Sequence, residues 1–393
     1  MRTKINMTCE DTALSLEDSA FLQTYSWWMR NFGSFPVAMV GIFLNSIALK
    51  VLSTASMRSN FFNRLLFCLA IFDNLLLLCE ISEVVRHVYQ TYGQFHLFIW
   101  LIYPVRNMVM CCSTFMTIVL AHERYEAIIN PVEYRNRASQ NKMRRLSCYV
   151  LPMLIFVCVY FSPKFLELTV GGLIKCMTGT NTTTISITEQ VNPESTQYDN
   201  CSKQYRLIPT ELRTNHYYVL WYINTSNMVL TAVLPLSILI FLCYRTYTSL
   251  SRFNQRRPSR PENIFEGAGR ESGNNNNDVK KTFILFSIVI VFILCHSLRI
   301  ILNIEEFLEL PQILDKRDKG CNGDGFKFWF SILVPVSHLF IIINSSVNFF
   351  IYSFLDPKFK KILRQAVKNV VFRNNQNHAE DIELPVINNN GDP

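Results

Sequence analysis

Long apolar stretches alternate with short polar ones along most of this chain. They fall near residues 35–56, 62–86, 97–124, 146–168, 216–244, 279–304 and 327–356. Each is longer than a buried helix of a soluble protein needs, and long enough to cross the roughly 30 Å of hydrocarbon in a bilayer. The pattern predicts an all-α membrane protein: a seven-transmembrane helix bundle forming one domain over 35–356, after a polar N-terminal tail over 1–34. Past the last span, Asp356-Pro357 restarts a helix. In it Phe359, Leu363, Ala366, Val367 and Val370 share one face, against Lys358, Lys360, Lys361, Arg364 and Lys368. This predicts an amphipathic juxtamembrane helix over 357–372, lying among the lipids of the inner leaflet, then a cytoplasmic tail over 373–393. Two strand-like runs, Val170–Met177 and Cys201–Ile208, are placed to form a hairpin between the fourth and fifth spans. The segment Arg252–Asp278, with Pro258, Pro261 and the run Asn274–Asn277, lacks the apolar content to fold alone and reads as a linker.

Composition agrees: 49% hydrophobic residues against 17% charged is too apolar for an ordinary soluble chain of 393 residues. Charge then sets the orientation. Arg135, Arg137, Lys142, Arg144 and Arg145 lie in one connecting segment; Arg245, Arg252, Arg256, Arg257, Arg260, Arg270, Lys280 and Lys281 lie in another. Both are on the side of the C-terminal tail, which the positive-inside rule assigns to the cytoplasm. The N-terminus is then expected outside, at the plasma membrane. Glycosylation sequons at Asn6, Asn181 and Asn200 fall in the outside segments, whereas those at Asn224 and Asn344 fall inside spans and are expected to be unused. The net charge of +8 is therefore a topology and lipid-contact signal rather than one for nucleic acid. No basic region followed by an apolar core opens the chain, so the first span is expected to act as an uncleaved signal. Of the 12 cysteines, Cys9, Cys176, Cys201 and Cys321 lie in outside segments, and these allow three connectivities. The hairpin favours Cys176–Cys201, leaving Cys9–Cys321 to tie the tail to the last outside loop. A bond closing roughly 26 residues stabilises by about 3 kcal/mol in the chain-entropy picture.

Ionisable residues within apolar spans are expensive and point to function. Arg124, in Glu123-Arg124-Tyr125, ends the third stretch at its cytoplasmic side. A juxtamembrane arginine can meet lipid phosphates, but one bracketed by an acid and an aromatic ring suits a charge held by a local carboxylate until a partner competes. Asp73 lies deep in the second span, and Ser113, Asn344, Ser345 and Asn348 are placed to meet it. These oxygens suit a small hard cation such as sodium, or a structural hydrogen-bonded network. Glu83, Arg86, Arg106, Arg299 and His338 form a set nearer the outer surface, and Arg299, Asn303 and Glu306 line up at helical spacing. A cavity holding both acids and arginines suits a polar, charged ligand.

With these residues assembled, the chain resembles the rhodopsin-like G-protein-coupled receptors over about residues 25–370. The motifs are Asn45, Leu69-Ala70-Ile71-Phe72-Asp73, Glu123-Arg124-Tyr125, Pro235, Phe292 with Cys295, and Asn348-Phe349-Phe350-Ile351-Tyr352. Within that family it is most similar to the invertebrate FMRFamide-type neuropeptide receptors. The stretches that carry this are Ser162-Pro163-Lys164-Phe165-Leu166-Glu167, Pro209-Thr210-Glu211-Leu212-Arg213, and Cys295-His296-Ser297-Leu298-Arg299 with Asn303. There are departures. Ile99 stands where the family usually has a third-span cysteine, His296 replaces the toggle tryptophan, Leu298 the kink proline, and Phe349 a seventh-span proline.

The resemblance implies a receptor for an extracellular, amidated peptide that signals through a heterotrimeric G protein. Asp278 would restrain Arg124, with Tyr125 and Tyr352 completing the switch. In the ligand site, Glu83 or Glu305 would read a peptide arginine, Arg106 and Arg299 would donate to carbonyls, and Tyr103 and Tyr218 would pack on an aromatic ring. His296, Asn303 and His338 would line the same cavity. No enzyme is expected, since His296 and His338 lack a clustered nucleophile or metal set. No cofactor is expected beyond an allosteric sodium ion at the Asp73 site. An opsin would need a lysine where Ile342 stands, and an amine receptor an acid where Arg106 stands. A transporter would show repeat symmetry, which the sequence lacks. An odorant or other small-molecule receptor on the same fold is the alternative.

Overall fold

The computed structural model describes residues 15–89, 91–138, 141–178, 181–187, 201–255, 269–318 and 326–380. Among them are 7 helices long and apolar enough to cross a membrane: Glu17–Leu52, Phe61–Tyr89, Gly93–Ile129, Lys142–Leu166, Tyr218–Arg252, Lys281–Ile313 and Phe328–Leu355, here the first to seventh spans. The first packs on the second and seventh, the third on the second, fourth and fifth, and the sixth on the seventh. Direction alternates, so the bundle has an N-terminal end, where the first span begins, and a C-terminal end, where the seventh finishes. Large apolar side chains such as Phe43, Val159 and Phe354 face outward, as a hydrocarbon solvent requires.

Most spans extend beyond the apolar runs that mark them. The first helical path starts at Leu16 rather than near 35, because Ser15 caps it: its Oγ accepts from the Asp18 amide at 3.0 Å, with Glu17 and Asp18 in the first turn. Polar residues in that stretch hide the helix from a hydropathy average, but Trp27, Trp28 and Phe32 pack against one another there, Trp28 stacked on Phe32 and Trp27 edge-on to both, as an aromatic belt would. Closer in, Gly41 lets the first span approach the seventh, since a Cβ at 41 would collide with Ser346 and Leu77. The sixth span belongs to one helix, Gly269–Asp318, which begins inside the segment expected to be a linker. The fifth opens with wide π-helical turns at Tyr218–Ser226 and Val229–Val233.

After the seventh span, Asp356 Oδ1 accepts from the amides of Lys358 (2.9 Å) and Phe359 (3.2 Å) and so starts the helix Pro357–Glu380, longer than the expected 357–372. Phe359 is fully buried against Phe349 and Tyr352, which fixes the helix to the bundle. Between the fourth and fifth spans lies a three-stranded antiparallel sheet of β1 (Leu168–Thr178), β2 (Asn181–Ile187) and β3 (Cys201–Pro209), in the order β2-β1-β3. The expected hairpin is the β1–β3 pair, in a register that sets Cys176 opposite Cys201. The third strand, Asn181–Ile187, is rich in β-branched residues, the one local sign of it in the sequence.

Candidate functional site

At the C-terminal end, Arg124 is buried, with its guanidinium carbon 4.2 Å from the centre of the Phe62 ring and Nη2 donating to the Tyr134 hydroxyl at 3.3 Å. Its neighbour Glu123 does not hold it. Successive residues on a helix do not face each other, and Glu123, fully buried, instead accepts from Arg145 Nη2 of the fourth span at 2.7 Å. Arg145 in turn lies over Phe61 and Tyr134. Tyr125 is half-buried against the core, and Tyr352 is buried with its hydroxyl unpartnered among the described residues. Asp278 falls in the helical backbone of Gly269–Asp318, but its side chain lies outside the described residues.

At mid-depth, Asp73 is fully buried. Ser113 Oγ donates to its Oδ1 at 2.8 Å and Asn348 Nδ2 to its Oδ2 at 2.7 Å. Ser345 lies close enough to act on the same carboxylate, while Asn344 makes no described contact with it. Ser345 Oγ and Asn45 Oδ1 are buried without hydrogen-bond partners among the described residues, and Asn45 Nδ2 donates to the Ser345 carbonyl at 2.7 Å. Unused oxygens beside a carboxylate fit a small cation or water.

The N-terminal half divides the expected ligand residues into three groups. The first surrounds a cavity of about 370 Å³ between the first, second, third and seventh spans, with Arg30, Glu80, Glu83, Arg106 and His338 in its wall. Arg106 Nε donates to Glu80 at 2.5 Å and its Nη2 to His338 Nδ1 at 2.9 Å. Glu83 is held by Arg86 through two hydrogen bonds, at 2.9 and 2.6 Å, and by His87. Glu80 was not expected as a partner, although its place one helical turn before Glu83 signals it.

The second group centres on Glu167, whose side chain is fully buried. Oε1 accepts from Tyr218 and Lys164, both at 2.8 Å; Oε2 accepts from Tyr103 at 2.5 Å and Arg213 at 2.7 Å. Arg213 also donates to the Tyr103 hydroxyl at 2.7 Å. This clasp joins the third, fourth and fifth spans to the short helix Glu211–Thr214. Burial alone would raise the Glu167 carboxyl, but the charge of Lys164 and the hydrogen bonds from Lys164, Tyr103 and Tyr218 hold it below its ordinary value of 4.5. Tyr103 and Tyr218 are thus engaged, and Glu167 is a functional candidate that sequence reasoning passed over, although it follows Lys164 by three residues.

The third group lines a small chamber of about 40 Å³ between the third, fifth, sixth and seventh spans, with Asn107, Asn227, His296, Arg299 and Asn303 in its wall. His296 stacks on Phe292, ring centres 4.1 Å apart. Glu306, seven residues beyond Arg299, supplies an opposing charge that acts on Arg299 but makes no close ion pair with it among the described residues. Glu305 is not in this group: it pairs with Lys327 at 2.8 Å.

A seven-span bundle with a buried arginine at one end and charged cavities at the other matches one family model, the 7 transmembrane receptor (rhodopsin family), over residues 44–352. The chain belongs to that family. This is a family of membrane receptors, not of enzymes. Among characterised relatives, it is similar to an FMRFamide receptor of Drosophila melanogaster, 26% identical over 335 residues, or 83% of this chain and 51% of the fly protein. It is also similar to the FMRFamide peptide receptor frpr-18 of Caenorhabditis elegans, 23% identical over 347 residues, 85% of this chain and 68% of the worm protein. The chain thus spans about half the length of the fly receptor.

Proposed function

We propose that this rhodopsin-family member is a plasma-membrane receptor for an amidated, FMRFamide-like peptide. The peptide binds at the N-terminal end of the bundle, which faces outside, and a heterotrimeric G protein couples at the other end. The observation that carries this reading is the charged cavity of about 370 Å³, walled by Arg30, Glu80, Glu83, Arg106 and His338. Desolvating such a wall is costly for an odorant but suits a ligand with charges and amides of its own. Similarity to two FMRFamide receptors over most of the chain supports the same class. The peptide's arginine needs a carboxylate. Glu83 and Glu305 are already paired, so we assign that role to Glu306.

On the coupling side, Arg124 is the charge released to the G protein, Asp278 restrains it at rest, and Tyr125 and Tyr352 complete the switch. A sodium ion held by Asp73, Ser113, Ser345 and Asn348 favours the resting arrangement. A bond between Cys176 and Cys201 fits their opposed register, because directly paired strand residues place their Cα atoms about 4.5–5.5 Å apart. Cys9, Cys321, Asn6 and Asn200 lie outside the described residues, as does the side chain of Asn181. The test is a calcium and cyclic-nucleotide screen of the expressed receptor against amidated neuropeptides. A response to Phe-Met-Arg-Phe-amide supports the reading. Silence to every amidated peptide, with normal surface expression, overturns it.

A further inference from the structure

The chamber, about 40 Å³ against about 370 Å³ for the cavity walled by Arg106 and His338, has room for one small group rather than a length of peptide. Two of its wall residues carry unspent hydrogen-bonding capacity of opposite kind. Arg299 makes no hydrogen bond and no close ion pair among the described residues; the opposing charge acting on it is that of Glu306. Asn227 Oδ1 is a buried acceptor without a partner. A cation on one wall keeps out an ammonium or guanidinium group. The chamber therefore asks for a small, neutral group that accepts at one atom and donates at another.

We infer that this chamber reads the terminal carboxamide of the peptide: Arg299 donates to the amide oxygen, and Asn227 Oδ1 accepts from the amide nitrogen. The inference rests on the proposed peptide function and goes beyond it by assigning which residues recognise the amidated end. A free carboxylate has only acceptors. It would gain from Arg299 but leave Asn227 Oδ1 facing another oxygen. The two residues therefore push the choice between amide and acid in opposite directions.

That opposition is the test. The potencies of Phe-Met-Arg-Phe-amide and of the same peptide as the free acid are measured on the full-length receptor, and their ratio is taken. The ratio cancels differences in surface expression. Asn227→Ala should move it toward the acid by about tenfold, the effect of one buried acceptor losing its donor. Arg299→Met should move it toward the amide, because the carboxylate loses the stronger, charge-assisted bond. Asn227→Asp keeps an acceptor there and adds a charge that repels the acid, so it too should move the ratio toward the amide. It also tests the same oxygen if the alanine variant folds poorly. Ratios unchanged in all three variants, with the amidated peptide still active on the wild type, overturn the carboxamide site and leave the peptide function standing. A wild-type receptor silent to both peptides and to every other amidated peptide overturns both.

Discussion

Around Glu167 each carboxylate oxygen accepts two hydrogen bonds, and the cations that neutralise it come from the protein itself. Around Arg299 the reverse holds among the described residues: a guanidinium without a hydrogen bond shares a chamber with an asparagine oxygen that has no donor. Both clusters lie in the N-terminal half of the bundle, and both mix charges with amides or phenols. They differ in completeness. A fully satisfied buried network rigidifies one packing. A buried group left without a partner is costly and calls for an explanation. In a receptor, a second molecule that completes the set is such an explanation.

The comparison can be broken at several points. The largest effect should come from Glu167→Ala, which strands Lys164 in the interior. Removing one partner of a buried pair typically costs about 3–5 kcal/mol. Surface expression and the thermal midpoint of the detergent-solubilised receptor should both fall; an unchanged midpoint would mean that the clasp is dispensable. Next comes the contrast between acids. Glu306→Gln should weaken binding of Phe-Met-Arg-Phe-amide by roughly 30-fold or more, the usual loss when a desolvated charge loses its partner. Glu83→Gln should do much less, because Arg86 already occupies that carboxylate, and a citrulline-containing peptide should mask the Glu306 effect. The opposite ranking in a binding assay would return the role to Glu83.

A third test moves to the C-terminal end, where Glu123 is engaged by Arg145 rather than Arg124. Arg145→Met should leave the buried Glu123 carboxylate without its cation, loosen the packing of the third and fourth spans beside Arg124, and lower agonist-driven G-protein activation severalfold. Unchanged activation at equal surface density would show that Arg145 has no such positioning role. A fourth uses pH. Because the Glu167 carboxyl is held below its ordinary 4.5, the clasp contributes its full stability above about pH 4.5 and loses it as pH falls through the depressed value. The thermal midpoint should stay level from about pH 8 to 5 and then drop, and Glu167→Gln should blunt that drop. The smallest effect concerns Asp73: replacing potassium by sodium at constant ionic strength should lower agonist affinity modestly, and Asp73→Asn should abolish the dependence. A wild type indifferent to sodium would remove the ion from the account.

The spans were legible because hydropathy averaged over a membrane thickness is a strong signal, and the ends were not because it is an average. The turn at Ser15–Asp18 and the aromatic cluster near Trp28 extend the first helix where apolar content alone stops. Arg124, Asp73, Arg106 and Arg299 could be picked out because a charge in an apolar run stands out. Their partners could not, because pairing depends on how helices rotate about their axes. Thus Arg106 is satisfied by Glu80 rather than Glu83, and Glu123 by an arginine on another span. Glu167 was missed because it sits at a helix terminus, where an acid is unremarkable until Lys164, Arg213 and two tyrosines converge on it. The small chamber had no sequence signature, since it is a gap among residues from four spans.

Ile99 gives the Glu167 clasp a consequence for biogenesis. With no thiol at that position, the seam joining the third span to the strands beyond the fourth is closed by a carboxylate, two cations and two phenols. Such a seam needs no oxidant and no isomerase to form. It can close as soon as the helices meet and reopen without chemistry, so at that point the receptor's assembly is insensitive to the redox state of the compartment in which it folds.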